Sequence, residues 1–370
     1  MILHFLTDSK FSEYVLKQFR SLSIVSKFVV VEADREVHHF EGFDDIRVVR
    51  PDSDEFKQLV NGLTGYRAVV LHGLFWPWEE YILEHVPKEV KVAWVFWGGE
   101  IYGREDLQYS FLAPISKFLL KGHQLIRLLK KKGKALIPYE IPKALFRRID
   151  FCLTDIPEEY QFAADYLCNG MVHLWYNYYS IEETLGDAMF VSGCGDNILI
   201  GHSGTIEGNH LEVFRRIKKS SLHNRRIVSP LSYGEGWVIN LVSKVGERKY
   251  GKAFYPIMDF MPRIQYNEEV SKCNMVIMNH FRPQAMGNII TALWLGKRVY
   301  MSERSMQYHY LKSLGIALFS IENDLSQDFS NPGISLSPDC ISRNKQILLS
   351  VYGRDAARKK IEELVKVLDS

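Results

Sequence analysis

The 370-residue chain is long enough for two domains or one large one, and with 46% hydrophobic and 24% charged residues its composition is globular. A net charge of +2 does not suggest a nucleic-acid binder. The five cysteines (Cys152, Cys168, Cys194, Cys273, Cys340) include no C-x-x-C pair and read as free thiols in a reducing compartment, and no run of about 18 uncharged apolar residues predicts a transmembrane helix.

Met1 to Asp8 opens as a strand, Ile2 to Leu6, without the basic flank and long apolar core of a signal peptide, so a cytoplasmic protein is expected. A helical pattern follows over Ser12 to Leu22, then a strand at Lys27 to Glu32, a strand at Ile46 to Val49, a helix at Ser53 to Leu63 and a strand at Ala68 to Leu71. Strands alternating with helical segments predict a doubly wound parallel sheet, whose ligands sit beyond the carboxyl ends of the strands. Two such ends are informative. One runs into His72-Gly73, and His72 reads as a general base, a sugar-hydroxyl partner or a structural histidine. The strand Val92 to Phe96 runs into Trp97-Gly98-Gly99-Glu100-Ile101-Tyr102. Glu100 reads as an aromatic-walled carboxylate whose partial burial raises its pKa for acid–base work, or as a helix N-terminal carboxylate facing the macrodipole.

From Leu107 to Tyr139 there is no acidic residue but seven basic ones: Lys117, Lys121, Arg127, Lys130, Lys131, Lys132 and Lys134. Without them the rest of the chain is near −5, so the positive charge is local. Interleaved leucines, isoleucines and Phe118 make residues 112–134 a basic amphipathic segment. An anionic membrane surface is one partner for it, a core helix with a solvated basic face is the plainer reading, and nucleic acid comes third. The absence of any acid favours the membrane.

Strands at Arg148 to Leu153 and Met171 to Trp175 flank a helix at Ile156 to Leu167, and Ser180 to Asn197 reads as a linker. A fresh alternation follows: strand Ile198 to Ile200, turn Gly201-His202-Ser203-Gly204, and a helix over Ile206 to Ile217. Such a turn presents backbone amides and a positive helix end to phosphate, or is simply tight packing. Further strands are expected near Arg226, over Lys252 to Phe254, at Asn274 to Met278 and at Arg298 to Met301, with a last helix at Ala356 to Leu368. Two similar halves predict an α/β chain of two Rossmann-like domains facing a central cleft, 1–185 binding an acceptor and 186–370 a nucleotide sugar. Leu6 to Lys10 offers no glycine for a dinucleotide fingerprint, which argues against a dehydrogenase. In the second half Gly201, His202, Ser203 and Gly204 suit one phosphate, Arg282 suits paired hydrogen bonds to phosphate oxygens, and Tyr233, Gln284, Gly287 and Asn288 complete a donor set. The plainer alternatives are an Arg282–carboxylate pair and a helix cap at Asn288. Residues Tyr255 to Met261 are candidates for contacting the base.

His72-Gly73-x-Phe75, Trp97-Gly98-x-Glu100-x-Tyr102, Ile198-Leu199-Ile200-Gly201-x-Ser203-Gly204 with His210, Cys273-Asn274 and Arg282-x-Gln284-x-x-Gly287 together resemble the bacterial 4-acetamido-4,6-dideoxygalactosyltransferases, also called 4-alpha-L-fucosyltransferases. The resemblance spans roughly residues 65 to 325, with Glu100 where that family is expected to favour Asp. It implies a GT-B glycosyltransferase peripheral to the inner face of the cytoplasmic membrane. The implied donor is a TDP-linked amino sugar such as N-acetylfucosamine, the implied acceptor a polyprenyl-diphosphate-linked saccharide, as in enterobacterial common antigen synthesis, and no cofactor or bound metal is implied. The acidic pairs Asp44-Asp45 and Asp52-Ser53-Asp54 lie in the first half, away from the phosphate loops. Two other classes share these features: a nucleotide-sugar epimerase of similar fold, and a non-catalytic membrane-surface scaffold.

Overall fold

The computed structural model describes every residue except 10, 23–24, 34–37, 41–45, 130–138, 187–188, 190–194, 330 and 332–333. Seven parallel strands form one sheet: β1 (Ile2–Leu6), β2 (Ser26–Val31), β3 (Arg47–Val49), β4 (Ala68–His72), β5 (Lys91–Val95), β6 (Phe151–Thr154) and β7 (Val172–Trp175), in the order β3-β2-β1-β4-β5-β6-β7. Six more form a second parallel sheet: β8 (Asn197–Ile200), β9 (Ile227–Pro230), β10 (Phe254–Ile257), β11 (Cys273–Met278), β12 (Arg298–Met301) and β13 (Phe319–Ser320), in the order β10-β9-β8-β11-β12-β13. The central strands are mostly apolar and buried, as in a parallel sheet covered on both faces, with His4 inside β1 and His72 at the end of β4 as the buried polar exceptions. Strand order reverses between β1 and β4 in one sheet and between β8 and β11 in the other, which defines the two places where a crevice opens beyond the strand ends.

The chain divides into two compact units: Met1–Glu105, Ile137–Ser180 and Gly353–Ser370 make the first, Asp106–Leu136 and Ile181–Tyr352 the second. A single cut between 185 and 186 is therefore broken twice. The helix Arg354–Asp369, expected with the second half, belongs to the first unit. Its Ile361, Leu364, Val365 and Leu368 share one face and complete the core formed by Ile2, Leu6, Val15, Val30 and Val70. Conversely, the helix Pro114–Leu129 belongs to the second unit, where Leu119 and Leu120 pack against the core containing Val213, Phe214 and Ile217. Hydrogen bonds fix its start: the Ala113 amide donates to Asn209 Oδ1 at 2.9 Å, and the Ser116 amide donates to Glu212 Oε1 at 2.8 Å. Lys130, Lys131, Lys132 and Lys134 of the basic segment lie outside the described residues.

Candidate functional site

In the second unit, β8 and β11 end side by side, and the loops that leave them hold most of the expected donor set. Gly201 closes β8 with φ +75°, and a Cβ there would stand 2.2 Å from the buried His210 ring, so only glycine fits. Its amide is taken by the Ile277 carbonyl, and the Gly204 amide by the Tyr233 carbonyl at 2.8 Å. The Gly204 carbonyl in turn accepts from the Glu235 amide, tying the turn to the loop after β9. The amides of His202 and Ser203 have no acceptor among the described residues. The turn does not open a helix directly, as the sequence suggested. A 3-10 turn over Ile206–Gly208 intervenes, Asn209 adopts φ +47°, and the helix runs only over His210–Arg216. The interruption has a physical cause: the Asn209 side chain is used for bracing, donating to the Asn279 carbonyl at 2.9 Å while accepting from Ala113. The Asn279 side chain reciprocates on the Asn209 carbonyl at 3.2 Å.

The loop after β11 contributes a better helix start. The helix Met286–Trp294 begins after Ala285, whose φ of +57° is costly for a residue with a Cβ, and it has no side-chain cap and no acid in its first turn. The amides of Met286, Gly287 and Asn288 have no acceptor among the described residues, so their dipole ends are uncompensated by protein. Asn288 lies inside this first turn rather than capping it. Arg282, four residues before the helix, is paired with a carboxylate: its Nε donates to Glu207 Oε2 at 2.8 Å, linking the β11 loop to the β8 loop. Gln307 organises the rest, accepting at Oε1 from the Gln284 amide at 3.0 Å and pairing with His280 Nε2 at 2.9 Å. Two buried polar atoms of these loops, His202 Nδ1 and Gln284 Nε2, lack partners among the described residues. Burial holds His202 neutral, its pKa well below 6.5, with His280, His210 and Arg282 adding to the effect, and burial alone lowers His210 to about 4. Tyr233 is exposed after β9, its ring 6.5 Å from that of His202. Of the base candidates, Tyr255 lies within β10 and Phe260 stands exposed beyond it.

In the first unit, Glu100 lies in the four-residue helix Gly99–Tyr102 that follows β5. Its Oε1 accepts from Trp94 Nε1 at 3.3 Å and from the Trp97 amide at 3.2 Å, while Oε2 is buried without a well-formed hydrogen bond. Burial raises its pKa to about 7, against the opposing pull of the Trp97 amide and the Trp94 indole. Glu100 stands in the first turn of a short helix and is enclosed, where the sequence suggested partial burial. Tyr102 turns instead to Glu159, donating at 3.1 Å. His72 is buried, with Nε2 3.2 Å from His4 Nδ1 and Nδ1 3.4 Å from the Tyr178 hydroxyl. Burial drives its pKa well below 6.5, with His4 adding to the effect, so it is a neutral member of a histidine–tyrosine cluster. A second carboxylate, Glu79, is fully enclosed and holds the β4 loop through the amides of Phe75 and Trp76. Glu79, Glu207, Asn209, Asn279, His280 and Gln307 were absent from the sequence-derived set. Glu207 and Asn209 lie within residues 206–217, which the sequence suggests as a helix.

Two parallel Rossmann-like sheets, each with its crevice at a reversal of strand order, define the GT-B fold, and solved structures agree with it over nearly the whole chain. A glycosyltransferase from Rickettsia africae is similar with a TM-score of 0.63 at 13% identity, covering 99% of this chain and 98% of that one. Sucrose-phosphate synthase from Thermosynechococcus elongatus gives 0.63 at 9% identity, covering 99% and 98%. Anabaena HepE, solved in complex with UDP and glucose, gives 0.61 at 11% identity, covering 99% and 100%. At such identities the likeness is one of fold. No family model matches the chain, and no curated protein matches it in sequence, so the resemblance to the 4-acetamido-4,6-dideoxygalactosyltransferases is not carried by these comparisons.

Proposed function

We propose that this protein is a glycosyltransferase that moves a sugar from a nucleoside diphosphate to an acceptor hydroxyl. The observation that carries the reading is the β8/β11 crevice of the second unit. There an uncapped helix start, Arg282 and two buried unpartnered polar atoms belong to the loops of adjacent strand ends. A diphosphate supplies acceptor oxygens for the amides of Met286 to Asn288 and a counter-anion for the positive helix end. The His202 and Ser203 amides, with Gly201 and Gly204 fixing the turn, are the second contact. The HepE structure, which has this fold and holds UDP and glucose, supports the same class of donor.

In the reaction we assign, the bond between the anomeric carbon and the diphosphate oxygen breaks, and that oxygen leaves with the electron pair, stabilised by the helix start and Arg282. The acceptor oxygen forms the new bond to the anomeric carbon, and its proton passes to the Glu100 carboxylate. His72, neutral and engaged at both ring nitrogens, is left as a packing residue. The finer reading follows the family resemblance: a TDP-linked amino-deoxy sugar resembling N-acetylfucosamine as donor, a polyprenyl-diphosphate-linked saccharide as acceptor, and no resident metal. It places the protein at the inner face of the cytoplasmic membrane. The exposed stripe Phe118, Leu125 and Leu129 supports that placement, lying on one face of the helix Pro114–Leu129 beside Lys117 and Lys121.

The test is calorimetry with UDP, TDP, GDP and CMP on the whole protein and two variants. Arg282→Ala weakens binding of the preferred nucleotide by about 10- to 100-fold, the range for a charged hydrogen-bonding partner. Glu207→Gln, which removes the carboxylate that competes with phosphate for Arg282, tightens it. Absence of binding by all four nucleotides, or an Arg282→Ala variant with undiminished affinity, refutes the assignment.

A further inference from the structure

The first unit contains a cavity of about 500 Å³ that neither the donor site nor Glu100 uses. It is lined by residues that follow four adjacent strands: Thr7 after β1, Glu32 after β2, Asp52 after β3 and Trp76 after β4. It therefore spans the β1/β4 reversal of strand order, where sheets of this kind bind ligands. Glu100 is not among the lining residues. The β4 loop nevertheless serves both places. The Phe75 ring lies against the backbone at Gly73 and Gly99 and 5.9 Å from the Trp97 ring, whereas the next residue, Trp76, lines the cavity. Glu79 holds the amides of both, so one carboxylate fixes the backbone from which the two side chains depart.

The lining selects a chemistry. Trp76 is 52% exposed, an unusual position for so large an apolar ring, and Trp78 backs the same wall. A flat indole face with negative π density suits the slightly positive C–H face of a pyranose ring. Glu32 and Asp52 add carboxylates, which when ionised only accept hydrogen bonds and so match hydroxyl donors. Glu32 Oε1 takes the Asp8 amide at 2.7 Å, and no described residue donates to its Oε2. Among the described lining residues Lys57 is the single cation and two carboxylates outnumber it, which disfavours an anionic ligand. The volume falls within the range of small-molecule sites, about 300–1,000 Å³, and holds one or two sugar rings.

We propose that this cavity is a saccharide subsite for an uncharged ring of the acceptor other than the one whose hydroxyl reacts. The ring stacks on Trp76, and Glu32 and Asp52 accept from its hydroxyls. As a subsite for an acceptor it rests on the sugar-transfer reading, but its occupancy is measurable without turnover.

The whole protein is titrated with a β1,4-linked N-acetylglucosamine disaccharide, maltose and glucose 6-phosphate while tryptophan fluorescence is followed. The same samples are then given the nucleoside diphosphates. At least one uncharged disaccharide binds saturably. Trp76→Ala weakens it about tenfold, the loss expected for one stacking contact. Trp76→Phe restores most of the affinity, Glu32→Gln weakens it several-fold, and glucose 6-phosphate binds more weakly than either disaccharide. Near-ultraviolet circular dichroism shows that the exposed-site variants keep the native fold. Failure of both disaccharides to bind, undiminished affinity in Trp76→Ala, or preference for the phosphorylated sugar overturns the subsite. If those failures accompany normal nucleotide binding, the subsite alone falls. Trp76-dependent saccharide binding without any nucleotide binding upholds the subsite and removes the donor reading instead.

Discussion

Glu100 is pulled two ways: its enclosure favours the neutral acid, while the Trp97 amide and Trp94 indole favour the charge. Burial wins. The folded-state pKa of about 7 lies above the ordinary 4.5, so the native state binds the proton more tightly than the unfolded chain. Stability from this group is present below pH 4.5 and is lost as pH rises toward 7, by on the order of 3 kcal/mol. Glu100→Gln, whose amide oxygen can still accept from Trp94, removes that loss. Its stability relative to the parent rises between pH 5 and pH 8 in urea unfolding, and a pH-independent difference contradicts the assigned pKa. Under the proposed chemistry the same variant loses turnover and keeps nucleotide affinity. Of the aromatic flank that the sequence suggests for Glu100, Trp97 contacts it through the backbone amide, Tyr102 bonds Glu159 instead, and the indole contact comes from Trp94. The partner of Arg282 was not legible in the sequence, because Glu207 is 75 residues away and only the pairing of β8 with β11 brings the two together.

Among the elements, periodicity served well where burial is one-sided or complete. The strands Ile2–Leu6 and Arg298–Met301 stand where the apolar runs lie. It failed at Ile206 to Ile217, where apolar spacing continues through a left-handed Asn209 whose reason is a tertiary contact. Nor did it find the helices Pro77–His85 and Pro338–Tyr352, whose apolar positions are interrupted by charged or polar residues that the fold buries, such as Glu79 and Asn344. The helix Pro114–Leu129 has Phe118, Leu125 and Leu129 exposed at 75%, 58% and 74% on one face. Among the described residues no helix is long and apolar enough to cross a membrane. The proposed reading lays this stripe on an anionic bilayer surface. Phe118→Asp with Leu125→Asp should abolish co-sedimentation with vesicles rich in anionic lipid while leaving nucleotide affinity unchanged. Retained sedimentation would remove the membrane from the reading. The helix Arg354–Asp369 makes a different prediction. Leu364 is 1% exposed in the core of the first unit, and Leu364→Ala should cost about 2–5 kcal/mol in denaturant unfolding. A loss below about 1 kcal/mol would mean that the helix is peripheral to that core.

For the molecule as a whole, buried histidines set the acid limit. Burial holds His4 at about 3 and His210 and His280 at about 4, and keeps His72 and His202 well below 6.5. An unfolded chain takes up these protons near pH 6.5, so the stability they confer is complete above that value and is lost as pH falls toward 4. Both units contain such residues, and both should lose native circular dichroism in that interval, whereas a flat profile from pH 6.5 to 4 would contradict the burial. The duplicated α/β pattern was legible because each half repeats strand, loop and helix. The swaps of 106–136 and 353–370 between units were not, since nothing in a local stretch states which sheet will cover its apolar face. That last exchange bears on biosynthesis. The second unit has all its strands available once Tyr352 has been made, but the first lacks Ile361, Leu364, Val365 and Leu368 until later. The part synthesised first is therefore the part that finishes last, and a nascent chain stalled before residue 354 should expose an unsealed apolar sheet face to chaperones.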